Sequence, residues 1–213
     1  MTEGHLDATI MVAYLEQQGL TDEDLLAATA KADRILNEIE AMVAKSSQFV
    51  NIAYTPMDLY RLKAERKKAI MLGIENGYAI GKDLQNVERF RNRGVVYMTL
   101  CHNGNNQLCG SCRFNDEGLG VNAFGEEVIH EMNRVGMMVD ISHAGDQTFY
   151  DALAISTKPI VASHSSSRAL CNHPRNLTDE QLKALAIKGG VAQVTLYNGF
   201  LKEEGTATIQ DAI

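Results

Sequence analysis

Compact apolar runs alternate with amphipathic stretches along most of the chain. Lys68–Ile74 (KAIMLGI), Val95–Leu100, Met137–Ile141, Ile160–Ser163 and Val191–Leu196 are short and dense enough to be buried strands. Helix signals fill the intervals. Asp83–Arg93 is stopped by Gly94. A helix from Asn122 to about Val135 ends at Gly136, and Gly145–Ser156 is a third. Thr178 caps a fourth, which Gly189-Gly190 ends. Strict strand–helix alternation at intervals of roughly 20 to 40 residues predicts an α/β fold with a parallel sheet.

The first third is less regular. Residues 5–16 and Phe49–Ala53 are weaker strand candidates. Between them, Thr21 or Asp22 caps a long helix with acids in its first turn. Leu25, Ala28, Ala32, Ile35, Leu36, Ile39, Met42 and Val43 recur at three- and four-residue spacing, which makes one buried stripe. Thr55-Pro56 opens a further helix through about Arg66, with Pro at the tolerated first position.

The five strong strand candidates end on groups capable of chemistry: Glu75, His102, His143, His164 and Tyr197. Polar residues at successive C-terminal strand ends mark the active face of a (β/α) barrel. No G-x-G-x-x-G or P-loop points instead to a nucleotide-binding sheet. A complete (β/α)8 barrel takes about 250 residues. The expectation is therefore a partial (β/α)8 TIM-type barrel, or one that closes in an unusual way, with residues 1–213 as one domain.

His143 and His164 lie 21 residues apart, one strand–helix–strand unit, and each follows an apolar run. Neutral imidazole is the commonest transition-metal ligand, and zinc also accepts carboxylate oxygen. Glu75, on a tight turn after a buried strand, is the candidate oxygen donor. His102 is a candidate substrate contact or proton carrier. Arg175, in the loop after the His164 strand, could clamp a carboxylate through its fork of donors. Taken alone, each of these also reads as an ordinary polar loop residue. His5-Leu-Asp7 has H-x-D spacing but precedes its apolar run, which assigns it to the opposite face. Cys109-Gly-Ser-Cys112 is a C-x-x-C without a second copy, so loop thiols near a pocket are favoured over a redox pair or a structural zinc site.

Charge and composition narrow the classes. The net charge of −7 argues against a nucleic-acid or anionic-membrane surface. No apolar run is long enough for a membrane span. The N-terminus lacks a basic region and a small-residue cleavage site, so no signal peptide is expected there. Four cysteines in 213 residues do not make a disulfide scaffold.

GIENGYAIGKDL (73–84), GVVYMTLCHNGNN (94–106), FGEEVIHEMNRVGMMVDISH (124–143), PIVASHSSSRALCNHPRN (159–176) and VTLYNGF (194–200) together resemble the zinc dipeptidase family of renal (membrane) dipeptidase. The resemblance covers most of residues 68–200 in order. It implies an amidohydrolase-type barrel holding two zinc ions (Zn2+) and acting on dipeptides. Glu75 would bridge the metals, and His143 and His164 would hold the second. His102 would contact substrate near the scissile carbonyl, Arg175 would bind the dipeptide carboxylate, and Tyr197 would line the pocket. The family's first-strand H-x-D pair and last-strand acid have no counterpart here. An internal fragment is therefore expected, with the ligands of one zinc site, weak or absent activity, and a tendency to form homo-oligomers. A non-catalytic dipeptidase-like binding or assembly protein is the alternative.

Overall fold

The computed structural model describes residues 1–213. Seven parallel strands form one curled sheet, a half-barrel, with helices in the crossovers. The elements in chain order are β1 (Ala8–Tyr14), α1 (Asp22–Lys45), β2 (Val50–Ile52), α2 (Pro56–Ala64), β3 (Lys68–Glu75), α3 (Gln85–Asn92), β4 (Val95–Thr99), α4 (Ala123–Val135), β5 (Met138–Asp140), α5 (Asp146–Ile155), β6 (Val161–Ala162), α6 (Asp179–Ile187), β7 (Val191–Ala192) and α7 (Asn198–Leu201). Both weak strand candidates are strands, and all the expected helices form.

The sheet runs β1-β3-β4-β5-β6-β7. β1 pairs along β3 from Ala69 to Glu75. On the other edge of β3, β2 pairs with Lys68–Ile70, and β4 takes over from Leu72 onward with a register shift at Leu72/Gly73. Gly73 is required at this bend: a Cβ there would lie 2.6 Å from the Tyr97 ring and 3.1 Å from Val12. Its bare backbone admits the buried Tyr97 side chain.

Helix starts follow local chemistry. Thr21 with Asp24, Thr55 with Asp58 and Thr178 with Gln181 form reciprocal capping boxes on α1, α2 and α6. Each cap contributes about 1 kcal/mol. The α1 stripe buries Leu25, Ala28, Ala32, Leu36, Ile39 and Val43. Met42 departs from the expectation and is exposed, because it lies at the margin of the stripe. Gly136 closes α4 at φ 75°, a left-handed cap donating to the Met132 carbonyl. The core between helices and sheet includes Leu72, Ile74, Phe90, Met98, Val139 and Phe149. Each large side chain contributes about 1.5–3 kcal/mol by burial.

β7 is shorter than the run Val191–Leu196 suggested. No strand pairs on its outer side, so Val191, Val194 and Leu196 remain exposed. Apolar residues there satisfy the strand pattern without a second neighbour to extend the ladder.

Candidate metal centre

The C-terminal ends of β3, β5 and β6 bring Glu75, His143 and His164 together. Their ligand-capable atoms lie within 4.8 Å of one another, the one such cluster in the chain. His143 Nε2 and His164 Nε2 are 3.0 Å apart. Glu75 Oε1 lies 3.3 Å from the first and 3.2 Å from the second. His102 stands just outside, its Nε2 at 3.8 Å from the same oxygen. The imidazoles of His102 and His143 pack at 4.1 Å between ring centres, and Tyr14 closes on His102 from β1 at 4.9 Å.

The far nitrogen of each ligand-like histidine is tied back to the protein. His143 Nδ1 lies 3.0 Å from Asn103 Oδ1, an oxygen that can only accept. His164 Nδ1 lies 2.7 Å from Ser163 Oγ, whose hydroxyl donates to Asp140 Oδ2 at 2.6 Å. With Nδ1 as the donor in each ring, both Nε2 lone pairs face each other and the carboxylate. Three donor atoms with no proton between them form an unfavourable contact in isolation. They suit a divalent cation with nitrogen and oxygen ligands. The donor set fits the metal that the sequence implies.

Burial is the largest influence on the titratable groups of the cluster. Burial favours the neutral form of His143 and pulls it down to about 3, with Arg175, His102 and His164 adding to the shift against the attraction of Glu75. Burial raises Glu75, and its contacts with His143 and His164 outweigh that and lower it only when a facing Nε2 carries a proton. Burial also lowers His102.

The backbone at this centre is held in rare conformations. His143 has φ 70° and Asn76, next to Glu75, has φ 95°. The His143 carbonyl accepts from the Cys112 N–H at 2.8 Å and the Cys101 thiol at 3.6 Å, and the Ser111 hydroxyl beside it donates to the His102 carbonyl at 2.6 Å. Asn76 donates to the Leu15 carbonyl and accepts from the Tyr78 N–H and the Asn106 amide. These bonds stabilise geometries that cost on the order of 1–3 kcal/mol each when unsupported.

A cleft of about 500 Å³ opens over the cluster. Arg175 lines it while only 6% exposed. Its Nη2 donates to the His164 carbonyl at 3.2 Å, and its guanidinium lies 5.3 Å from the centre of the Phe200 ring. Its Nε and Nη1 have no partner. Burial lowers the Arg175 pKa. Tyr197 is on the rim, largely exposed and packed on Phe200 at 4.7 Å.

Five of the residues singled out in the sequence thus meet at one cleft (Glu75, His143, His164, Arg175 and Tyr197), with His102 beside the cluster. His5 and Asp7 do not join them. Asp7 pairs with Lys63 and Lys68 at the N-terminal ends of the strands, the opposite face. The four cysteines are buried free thiols. Cys112 lines the cleft, and burial pushes its thiol up to about 11. Asn103, Asp140 and Ser163 were not singled out. An acid inside the apolar run VGMMVDISH was the available signal for Asp140.

The model of one family, membrane dipeptidase (peptidase family M19), matches residues 1–213. The chain belongs to the M19 membrane dipeptidase family. An uncharacterized dipeptidase of Schizosaccharomyces pombe is 35% identical over 204 residues, covering 93% of this chain and 49% of that protein. Mouse dipeptidase 3 is 29% identical, covering 95% of this chain and 48% of that protein. The crystal structure of the probable dipeptidase PvdM from Pseudomonas aeruginosa superposes with a TM-score of 0.88 at 29% identity, covering 96% of this chain and 54% of that one. The chain spans about half the length of the curated M19 relatives it matches.

Proposed function

We propose that this M19 chain carries the zinc-holding and carboxylate-recognising part of a dipeptide-hydrolysing centre. Glu75, His143 and His164 would hold one zinc ion. The observation that carries the reading is the convergence of two Nε2 lone pairs and a carboxylate oxygen at the mouth of a cleft that also contains an underused guanidinium. Zinc, when bound, polarises a carbonyl and lowers the pKa of water toward neutrality.

The remaining residues have separable tasks. Arg175 offers Nε and Nη1 to the C-terminal carboxylate of a dipeptide, which orients the scissile bond. His102, packed against His143, would donate a hydrogen bond to the oxygen that gains charge during attack. Tyr197 and Phe200 supply an apolar wall for a side chain.

Zinc titration of chelator-treated protein against a competing chromophoric chelator tests this reading. One tight zinc per chain is expected, lost in the His143→Ala/His164→Ala double variant. Hydrolysis of a dipeptide panel by this chain is expected to be weak, because the chain holds one cluster of three ligands. Zinc binding that survives the double variant refutes the assignment.

A further inference from the structure

Asp140 has no place in metal binding or substrate contact, yet it is a fully buried carboxylate at the C-terminal end of β5. No cation pairs with it. Four hydrogen bonds hold it instead. Oδ1 accepts from the N–H groups of Ser142 at 3.1 Å and Ser163 at 2.9 Å. Oδ2 accepts from the hydroxyls of Thr99 and Ser163, both at 2.6 Å. Burying a carboxyl group is costly unless donors surround it, and four surround this one.

Both polar groups of Ser163 are taken by Asp140, one on each carboxylate oxygen. The Ser163 hydroxyl has a single proton, and Asp140 receives it. Its oxygen can then only accept from His164 Nδ1, 2.7 Å away. The His164 N–H is fixed in turn by Ser142 Oγ at 3.0 Å. We propose that Asp140 and Ser163 form a positioning relay that sets His164 as the Nδ1–H tautomer and keeps its Nε2 lone pair facing Glu75 and His143. The inference rests on the reading of His164 as a metal ligand only for its consequence; the tautomer itself is a property of the metal-free chain.

Asp140→Asn gives the sharpest test because it keeps shape and reverses one polarity. The amide oxygen can still accept the two backbone N–H groups. The amide nitrogen then faces Ser163 and donates to its oxygen, so the Ser163 proton turns to His164 Nδ1. The ring must move its own proton to Nε2, the nitrogen that faces the cluster. Outer partners of ligating histidines typically contribute about 10- to 100-fold in metal affinity.

Long-range ¹⁵N–¹H spectra of the imidazoles in chelator-treated protein at pH 8.5 read the tautomer directly. The expected result is Nδ1–H for His164 in the native chain, Nε2–H in Asp140→Asn, and a mixture in Ser163→Ala. Zinc affinity is expected to fall about 10- to 100-fold in Asp140→Asn. Thr99→Val removes one bond to Asp140 without touching Ser163, so it is expected to lower stability and leave the tautomer unchanged. The same His164 tautomer in the native chain and both relay variants overturns the proposal. If Asp140→Asn fails to fold, the Ser163→Ala spectrum decides alone. A tautomer switch with unaltered zinc affinity upholds the relay and counts against His164 as a zinc ligand.

Discussion

Replacing Arg175 by Met should leave the protein as stable as before, or more stable, while removing its affinity for carboxylates. Truncating a well-packed buried side chain ordinarily costs about 2–5 kcal/mol. Arg175 differs because its guanidinium is buried with Nε and Nη1 unpaired. Each buried donor left without a partner costs about 1–3 kcal/mol, more when charged. Against this stand one charge-assisted bond to the His164 carbonyl, about 1.5–3 kcal/mol, and the contact with Phe200, about 0.5–2 kcal/mol. Met keeps the volume of the aliphatic stem and brings no polar atom. The opposing contributions nearly cancel, so a net change between zero and about 1 kcal/mol of stabilisation is expected, in line with buried ions replaced by apolar residues. Urea unfolding of native and Arg175→Met protein measures this, with equal slopes required for the comparison. In a second arm, a dipeptide carboxylate should raise the midpoint of the native chain and leave that of the variant unmoved. A loss above about 2 kcal/mol in Arg175→Met, or equal protection of both proteins, would refute the reasoning.

Two other perturbations separate the cluster from its surroundings. For metal-free protein, His143 is depressed to about 3 in the folded state, against an unfolded value near 6.5. Between those limits the unfolded chain binds the extra proton, so stability rises with pH and is lost as pH falls from about 6.5 toward 3. Unfolding free energy should therefore fall by about 1.4 kcal/mol per pH unit per proton, and His143→Gln should flatten the profile; an unaltered profile in the variant is the contrary result. Asp7→Ala and His5→Ala should leave zinc affinity unchanged, with stability changes within about 1 kcal/mol because the Asp7 pairs are exposed. A tenfold weaker zinc site in either variant would place this pair in the metal centre after all.

Much of the centre could be read before any coordinates. His143 and His164 each close an apolar run one crossover apart, and strand direction alone then places them side by side. Glu75 followed from the same rule at β3. The relay through Asp140 and Ser163 could not be read this way, because a sequence pattern scores Asp140 as an interruption of a strand and gives no account of which buried donors surround it. The inward turn of Arg175 depends on the loop after β6 packing under Phe200, a tertiary event without local signal. The outer limit of β7 was overestimated for a related reason: Val194 and Leu196 have strand-like character, but pairing requires a neighbour. Within the C-x-x-C motif, the Cys112 N–H holds the His143 carbonyl and the Ser111 hydroxyl holds that of His102, contacts that the cysteine spacing gave no sign of.

The left-handed backbone at His143 also restricts which residue can occupy that position. Among residues with a side chain, Asn, Asp and His tolerate such a φ best, whereas β-branched and bulky residues are strained there. On the proposed zinc reading, ligand exchange at position 143 is thus biased toward carboxylate or amide oxygen from a short side chain. Position 164, absent from the positive-φ residues, carries no such bias. The two imidazoles look interchangeable as ligands, but their peptide backbones give them unequal evolutionary freedom. If both hold the proposed zinc, a softer or harder metal would be reached most easily by altering His164 first.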